Sequence, residues 1–206
     1  MKILITEQHK ITGELLRQEI HVSKNEVKFK SLPDTIIIHY TAGASAASSA
    51  AWLADPKVKA SAHVVIGKEG EIYQLVPFDT IAWHAGPSAY AGRSGFNNFS
   101  IGIELDNPGF LAPYKDEFVS AFSTCYPAED VIHAVHRNEK TPRYWHTFAG
   151  VQLEACYALC EALIEKYPIR KILGHEEISP GIKFDPGPAF PLDEFRRKLL
   201  PEPSSR

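Results

Sequence analysis

The chain has 206 residues, 44% hydrophobic and 23% charged, an ordinary composition for a globular protein with one sizeable core. Its formal net charge of −3 offers no electrostatic attraction to nucleic acid or to an anionic membrane, so neither is an expected partner. No apolar run approaches the ~18 residues of a spanning helix, and the opening "MKILITEQHK" soon turns polar, so no export signal is expected and a cytoplasmic location is.

In chain order, residues 1–32 read as an N-terminal extension packed on the domain that follows. "DTIIIHY" is a β-branched run predicted as a buried central strand ending at His39. "AGASAASSAAWLAD" is rich in alanine and free of proline, which predicts a closely packing helix. In "AHVVIGKEGEIYQLVP", two apolar strand patterns flank Lys68, Glu69 and Gly70, a hairpin signal. "FSIGIELDN" predicts another strand, with Glu104 set among apolar neighbours. The aromatic stretch from Phe110 to Gly150 shows no clear period and reads as a long loop with at most a short helix. Its "HAVH" sets His133 and His136 three apart, a packed or solvated pair in the absence of a third ligand.

"GVQLEACYALCEALIEKYP" has helical spacing, with Cys156 and Cys160 as small buried hydrophobes on one face. With Cys125 they make an odd number, which argues against a disulfide framework. A brief strand, "IRKIL", leads into a proline- and glycine-rich loop, then a short helix, "PLDEFRRKLL", and a flexible tail at 201–206. No repeat or linker divides the chain. The expectation is a single α/β domain over residues 33–200, with a central mixed β-sheet flanked by α-helices.

The loop "GHEEISPGIKFDPGPAF" carries the chemistry. Its prolines and glycines argue against a helix, yet it places His175, Lys183 and Asp185 close together in sequence. Histidine and carboxylate ligands suit a catalytic zinc, which takes three protein ligands and leaves one position open. His175 and Asp185 would supply two. His39, at the end of a core strand, is a candidate for the third, but spacing alone does not single it out among nine histidines. Asp185 before a proline also suits a plain turn.

Four segments occur in order: "IIIHYTAG", "SAHVVIGKEGEIYQLVPFDTIAWHAG", "NNFSIGIELDN" and "GHEEISPGIKFDPGPAF". As a set they resemble the zinc-dependent N-acetylmuramoyl-L-alanine amidases, a family that takes in AmpD-type recycling enzymes, phage amidase-lysozymes and peptidoglycan recognition proteins. The resemblance implies His39, His175 and Asp185 as ligands of Zn2+, Glu104 and Lys183 as catalytic groups, and His63 and His84 as lining or supporting residues near a substrate cleft. It implies peptidoglycan or its muropeptide fragments as substrate, cut between the lactyl group of N-acetylmuramic acid and L-alanine. Ala62 stands where phage members commonly carry a tyrosine, and Asp185 where catalytic recognition proteins usually place a cysteine; both resemble the AmpD-type branch. A non-catalytic peptidoglycan-binding module on the same fold is the alternative, and a phage lysin the alternative to muropeptide recycling.

Overall fold

The computed structural model describes residues 2–200, so the expected tail at 201–206 lies outside the described residues. Six strands form the main sheet and five the second. In chain order they are β1 (Leu16–Glu19), β2 (Thr35–Tyr40), β3 (Val64–Ile66), β4 (Ile72–Gln74), β5 (Ser100–Leu105), β6 (Phe110–Tyr114), β7 (Glu117–Val119), β8 (Cys125–Tyr126), β9 (Val131–Val135), β10 (Pro142–His146) and β11 (Lys171–Gly174). The main sheet runs β11-β2-β5-β3-β4-β1. Its first four strands are mutually parallel, β4 turns back antiparallel as the second arm of the expected hairpin, and β1 lies parallel to β4. The sheet is therefore mixed. The segment before residue 33 supplies its outermost strand.

Four helices flank it: α1 (Ala46–Ala54), α2 (Gly150–Lys166), α3 (His175–Ile178) and α4 (Leu192–Leu199). Side chains alternate across each strand, and the two faces differ. Ile36, Ile38, Ile101, Ile103, Val64 and Ile66 face α2, where Cys156, Leu159, Cys160 and Leu163 complete the largest core cluster. On the opposite face, Val65 packs under Ala46, Ala50 and Leu53 of α1, and Ile37 meets Phe96 and Ile178. That second face also carries His39 and Glu104. None of the described helices is long and apolar enough to cross a membrane.

The stretch expected as a long loop is instead a five-stranded antiparallel sheet, in the order β8-β7-β6-β10-β9. Its strands are short, two hold a proline (Pro113 in β6, Pro142 in β10), and most of their side chains are exposed or half-buried. A half-solvated sheet with prolines lacks the alternation that betrays a strand. A second correction falls on the glycine-rich loop, whose first turn is helical as α3, with Gly174 at its N-cap.

Candidate metal centre

The three parallel strands β11, β2 and β5 lie side by side, and all three deliver polar groups at their carboxyl ends, where open α/β sheets place ligands. His39 is the fifth residue of β2 and pairs in register with Glu104, the fifth of β5. His175 follows β11 directly and opens α3. Asp185 closes the loop after α3, preceding a cis peptide bond to Pro186, and its carbonyl accepts the Glu176 N–H at 2.8 Å. Rigid strands thus set two of the positions, and a loop pinned to α3 sets the third.

His39 Nδ1 lies 2.8 Å from Asp185 Oδ2 and 3.0 Å from His175 Nδ1, while His175 Nδ1 lies 2.9 Å from the same carboxylate oxygen. All three residues are buried. Their outer hydrogen bonds fix the tautomers. His175 Nε2 donates to the Ala85 carbonyl at 3.3 Å, which leaves Nδ1 with its lone pair. His39 Nε2 donates to His84 Nδ1 at 3.0 Å, and His84 Nε2 in turn donates to the Ser100 carbonyl at 3.3 Å. Burial, and next the neighbouring His175, pull His39 down to about 4, so its ring is neutral at physiological pH. Burial would raise Asp185, but the His175 and His39 rings beside its carboxylate outweigh that and hold it well below the usual carboxylate range. Two imidazole lone pairs and a carboxylate oxygen facing one another at this range form a donor set that a metal cation suits.

His84 reaches His39 because of a glycine. A Cβ at Gly102, on the same face of β5 as Glu104, would come within 2.4 Å of the His84 ring. Burial, and next His39, keep His84 well below the usual histidine value, as an acceptor for the His39 proton requires. Such outer partners orient ligands and fix which ring nitrogen binds. His63 sits differently. It is fully buried, its Nε2 donates to the Thr80 carbonyl, its Nδ1 accepts the Gly102 N–H, and it supports β5 from within the core rather than facing the cleft.

Glu104 borders the cleft formed by His39, His84, His175 and Asp185. Its Oε2 is shielded from solvent and has no hydrogen-bond partner among the described residues. Burial, then the Asp185 charge, lift its carboxyl well above the usual value, and Lys183 opposes them. Lys183 itself lies exposed on the same cleft, its ammonium making no hydrogen bond among the described residues.

A buried group that the sequence did not reveal ties this loop to the second sheet. Glu176, next to His175, accepts from His136 Nε2 at 2.6 Å and from the Gly187 N–H at 3.0 Å, and pairs with Arg137 Nε at 2.8 Å. Asn138 adds a hydrogen bond to the Glu176 carbonyl at 2.8 Å. His136 is therefore a packed histidine, and His133, on β9, stacks against Tyr144. No motif advertises Glu176, because its partners lie 40 residues away in a region without a strand signature.

Comparison with known proteins agrees with this architecture. A family profile described as N-acetylmuramoyl-L-alanine amidase (Amidase_2) matches residues 29–188. The 1,6-anhydro-N-acetylmuramyl-L-alanine amidase AmpD of Citrobacter freundii is 35% identical over 70% of this chain, and that of Escherichia coli strain K12 is 36% identical over 68%. The matched regions span 59% and 58% of those relatives' own length, so the chain covers under two thirds of either. Among solved structures, a selenomethionine AmpD derivative superposes with a TM-score of 0.65 at 27% identity, covering 95% of this chain and 99% of that one. E. coli AmiD, in complex with its substrate anhydro-N-acetylmuramic acid-L-Ala-D-γ-Glu-L-Lys, superposes at 0.60 with 30% identity over 81% of this chain and 57% of that one. With the profile covering most of its length, this chain belongs to the N-acetylmuramoyl-L-alanine amidase family.

Proposed function

We propose that the protein is a zinc-dependent N-acetylmuramoyl-L-alanine amidase that hydrolyses the amide between the lactyl group of N-acetylmuramic acid and L-alanine in muropeptides. The observation that carries this reading is the convergence of His39, His175 and Asp185 beside a carboxyl group, Glu104, that has an unpartnered oxygen. The borderline-soft imidazole pair with one carboxylate, and room for a fourth position on the cleft side, fits zinc. A bound zinc would supply Lewis acidity, activating water at neutral pH and polarising the scissile carbonyl.

The protein's own groups do the remaining work. Glu104, raised by burial, takes the proton from the attacking water and returns it to the leaving nitrogen, a task that suits a carboxyl more basic than an exposed one. The Lys183 ammonium faces the cleft and offsets charge on the carbonyl oxygen as it develops. His84 holds the His39 ring with its lone pair aimed inward. Mass spectrometry of digests tests the bond that is cut. The expected products are a free peptide beginning with L-alanine and a muramic acid with a free lactyl carboxylate. Cleavage inside the peptide or between sugars would refute the proposal. Digesting anhydro-muropeptides and intact sacculi in parallel separates recycling from wall lysis.

A further inference from the structure

The cleft has two lobes that share Thr41, Trp52 and Glu104. The lobe beside His175 and Asp185 carries Lys183, and Arg143 stands behind Phe184 on the same side, its guanidinium 5.3 Å from the ring centre. The other lobe, a cavity of about 400 Å³, has Glu104 as its one charged lining residue among the described residues. Its walls are small residues and hydroxyls from Thr41 to Ser49, closed by Trp52 from α1 and Phe122. These two aromatics are 57% and 53% exposed, although α1 buries its other face through Ala46, Ala50 and Leu53. Phe122 is held in place, since the Ser120 hydroxyl accepts the N–H groups of both Phe122 and Thr124 across the tight turn between β7 and β8. Large apolar side chains left open in a cavity beside a reaction centre mark a ligand contact.

We propose that Trp52 and Phe122 form the platform against which the pyranose ring of a muramoyl substrate packs, with the peptide stem directed to the lobe that holds Lys183. The assignment rests on the amidase reading and follows from charge. Once its lactyl carboxyl is in the amide, the sugar half carries no ionised group, and its C–H faces suit aromatic rings while its hydroxyls suit Thr41 and Ser48. The stem carries free carboxylates and suits the cationic side. Phe122 comes from the second sheet, so that sheet takes part in substrate selection.

The test compares kcat/KM on two amides of the same peptide, one acylated by N-acetylmuramic acid and one by D-lactic acid alone. The wild-type preference for the ring-bearing amide should fall by about tenfold in Trp52→Ala and in Phe122→Ala, the scale of a lost aromatic contact. Phe122→Tyr should restore it and Phe122→Leu should not. An unchanged ratio in both alanine variants, or full rescue by leucine, overturns the platform. Should the wild type cut neither amide, the amidase reading fails, and saturation-transfer NMR with free N-acetylmuramic acid decides the platform separately. Sugar signal lost in the double alanine variant supports it, and equal signal overturns it.

Discussion

In the main sheet, three adjacent parallel strands bury their apolar residues on both faces and bring His39, Glu104 and His175 together at their carboxyl ends. In the second sheet, β6 to β10 leave most side chains at least partly in solvent and fully bury only Leu111, Trp145 and His146 among their described residues. The first arrangement fixes reactive groups, because a strand packed on both sides cannot shift without moving a whole core. The second is held by a handful of anchors and reaches the metal centre through Glu176 and through rings and cations packed on Phe184. Chemistry is thus carried by the rigid region, while the more solvated region props the loop and shapes the cleft.

The sharpest way to break that comparison is to remove a ligand. His175→Ala should fold, lose stoichiometric metal and fall below detectable turnover, as read by elemental analysis and by product release; full metal content in this variant would displace the ligand assignment. Glu104→Gln should keep its metal yet slow turnover roughly 10²–10⁴-fold, the range for a lost acid–base group. A normal rate would move the general base elsewhere.

The contrast also explains what could be read in advance. β2 was legible because a run of three isoleucines has few other uses, β5 because Ile101, Ile103 and Leu105 alternate, and α2 because its apolar residues recur at helical spacing. His175 and Asp185 were legible from local chemistry. His39 was a candidate from its place at the end of a core strand, but only the resemblance singled it out among the histidines, since folding alone brings it from 136 residues away to His175. The second sheet was not legible. Pro113 and Pro142 interrupt it, and cross-strand aromatic pairs such as Phe118 with Tyr144 stabilise it without leaving a period in the sequence. Glu176 was hidden for the same reason, since its partner His136 directly follows β9 of that sheet.

A third substitution addresses the second sheet directly. Trp145 is buried, donates its indole N–H to the Ala134 carbonyl at 3.1 Å and stacks on His136. Trp145→Ala should lower unfolding free energy by about 3–5 kcal/mol in denaturant titrations, while the rate per folded, metal-loaded chain changes far less than in Glu104→Gln. A rate loss as deep as that of Glu104→Gln would show that the second sheet does more than support. The smallest effect is a displacement in pH. Lys183 opposes the burial and the Asp185 charge that raise Glu104. In Lys183→Met, Glu104 should therefore need a higher pH to lose its proton, and the acidic limb of the kcat/KM profile should move upward. A limb that stays in place or moves down would separate Lys183 from Glu104.

The outermost strand of the main sheet has a practical consequence. β1 covers the edge of β4, Ile72 donates its N–H to the Leu15 carbonyl at 2.7 Å, and the Gln74 side chain receives the Ile11 N–H at 2.6 Å. All of these partners precede residue 29, where the family match begins. Trimming the protein to the matched region would keep every proposed metal and proton-transfer residue. It would also bare a row of unpaired backbone groups along β4, the kind of edge on which chains stack into aggregates. Yield and solubility would fail before catalysis did, and an inactive preparation of that fragment would say nothing about its chemistry.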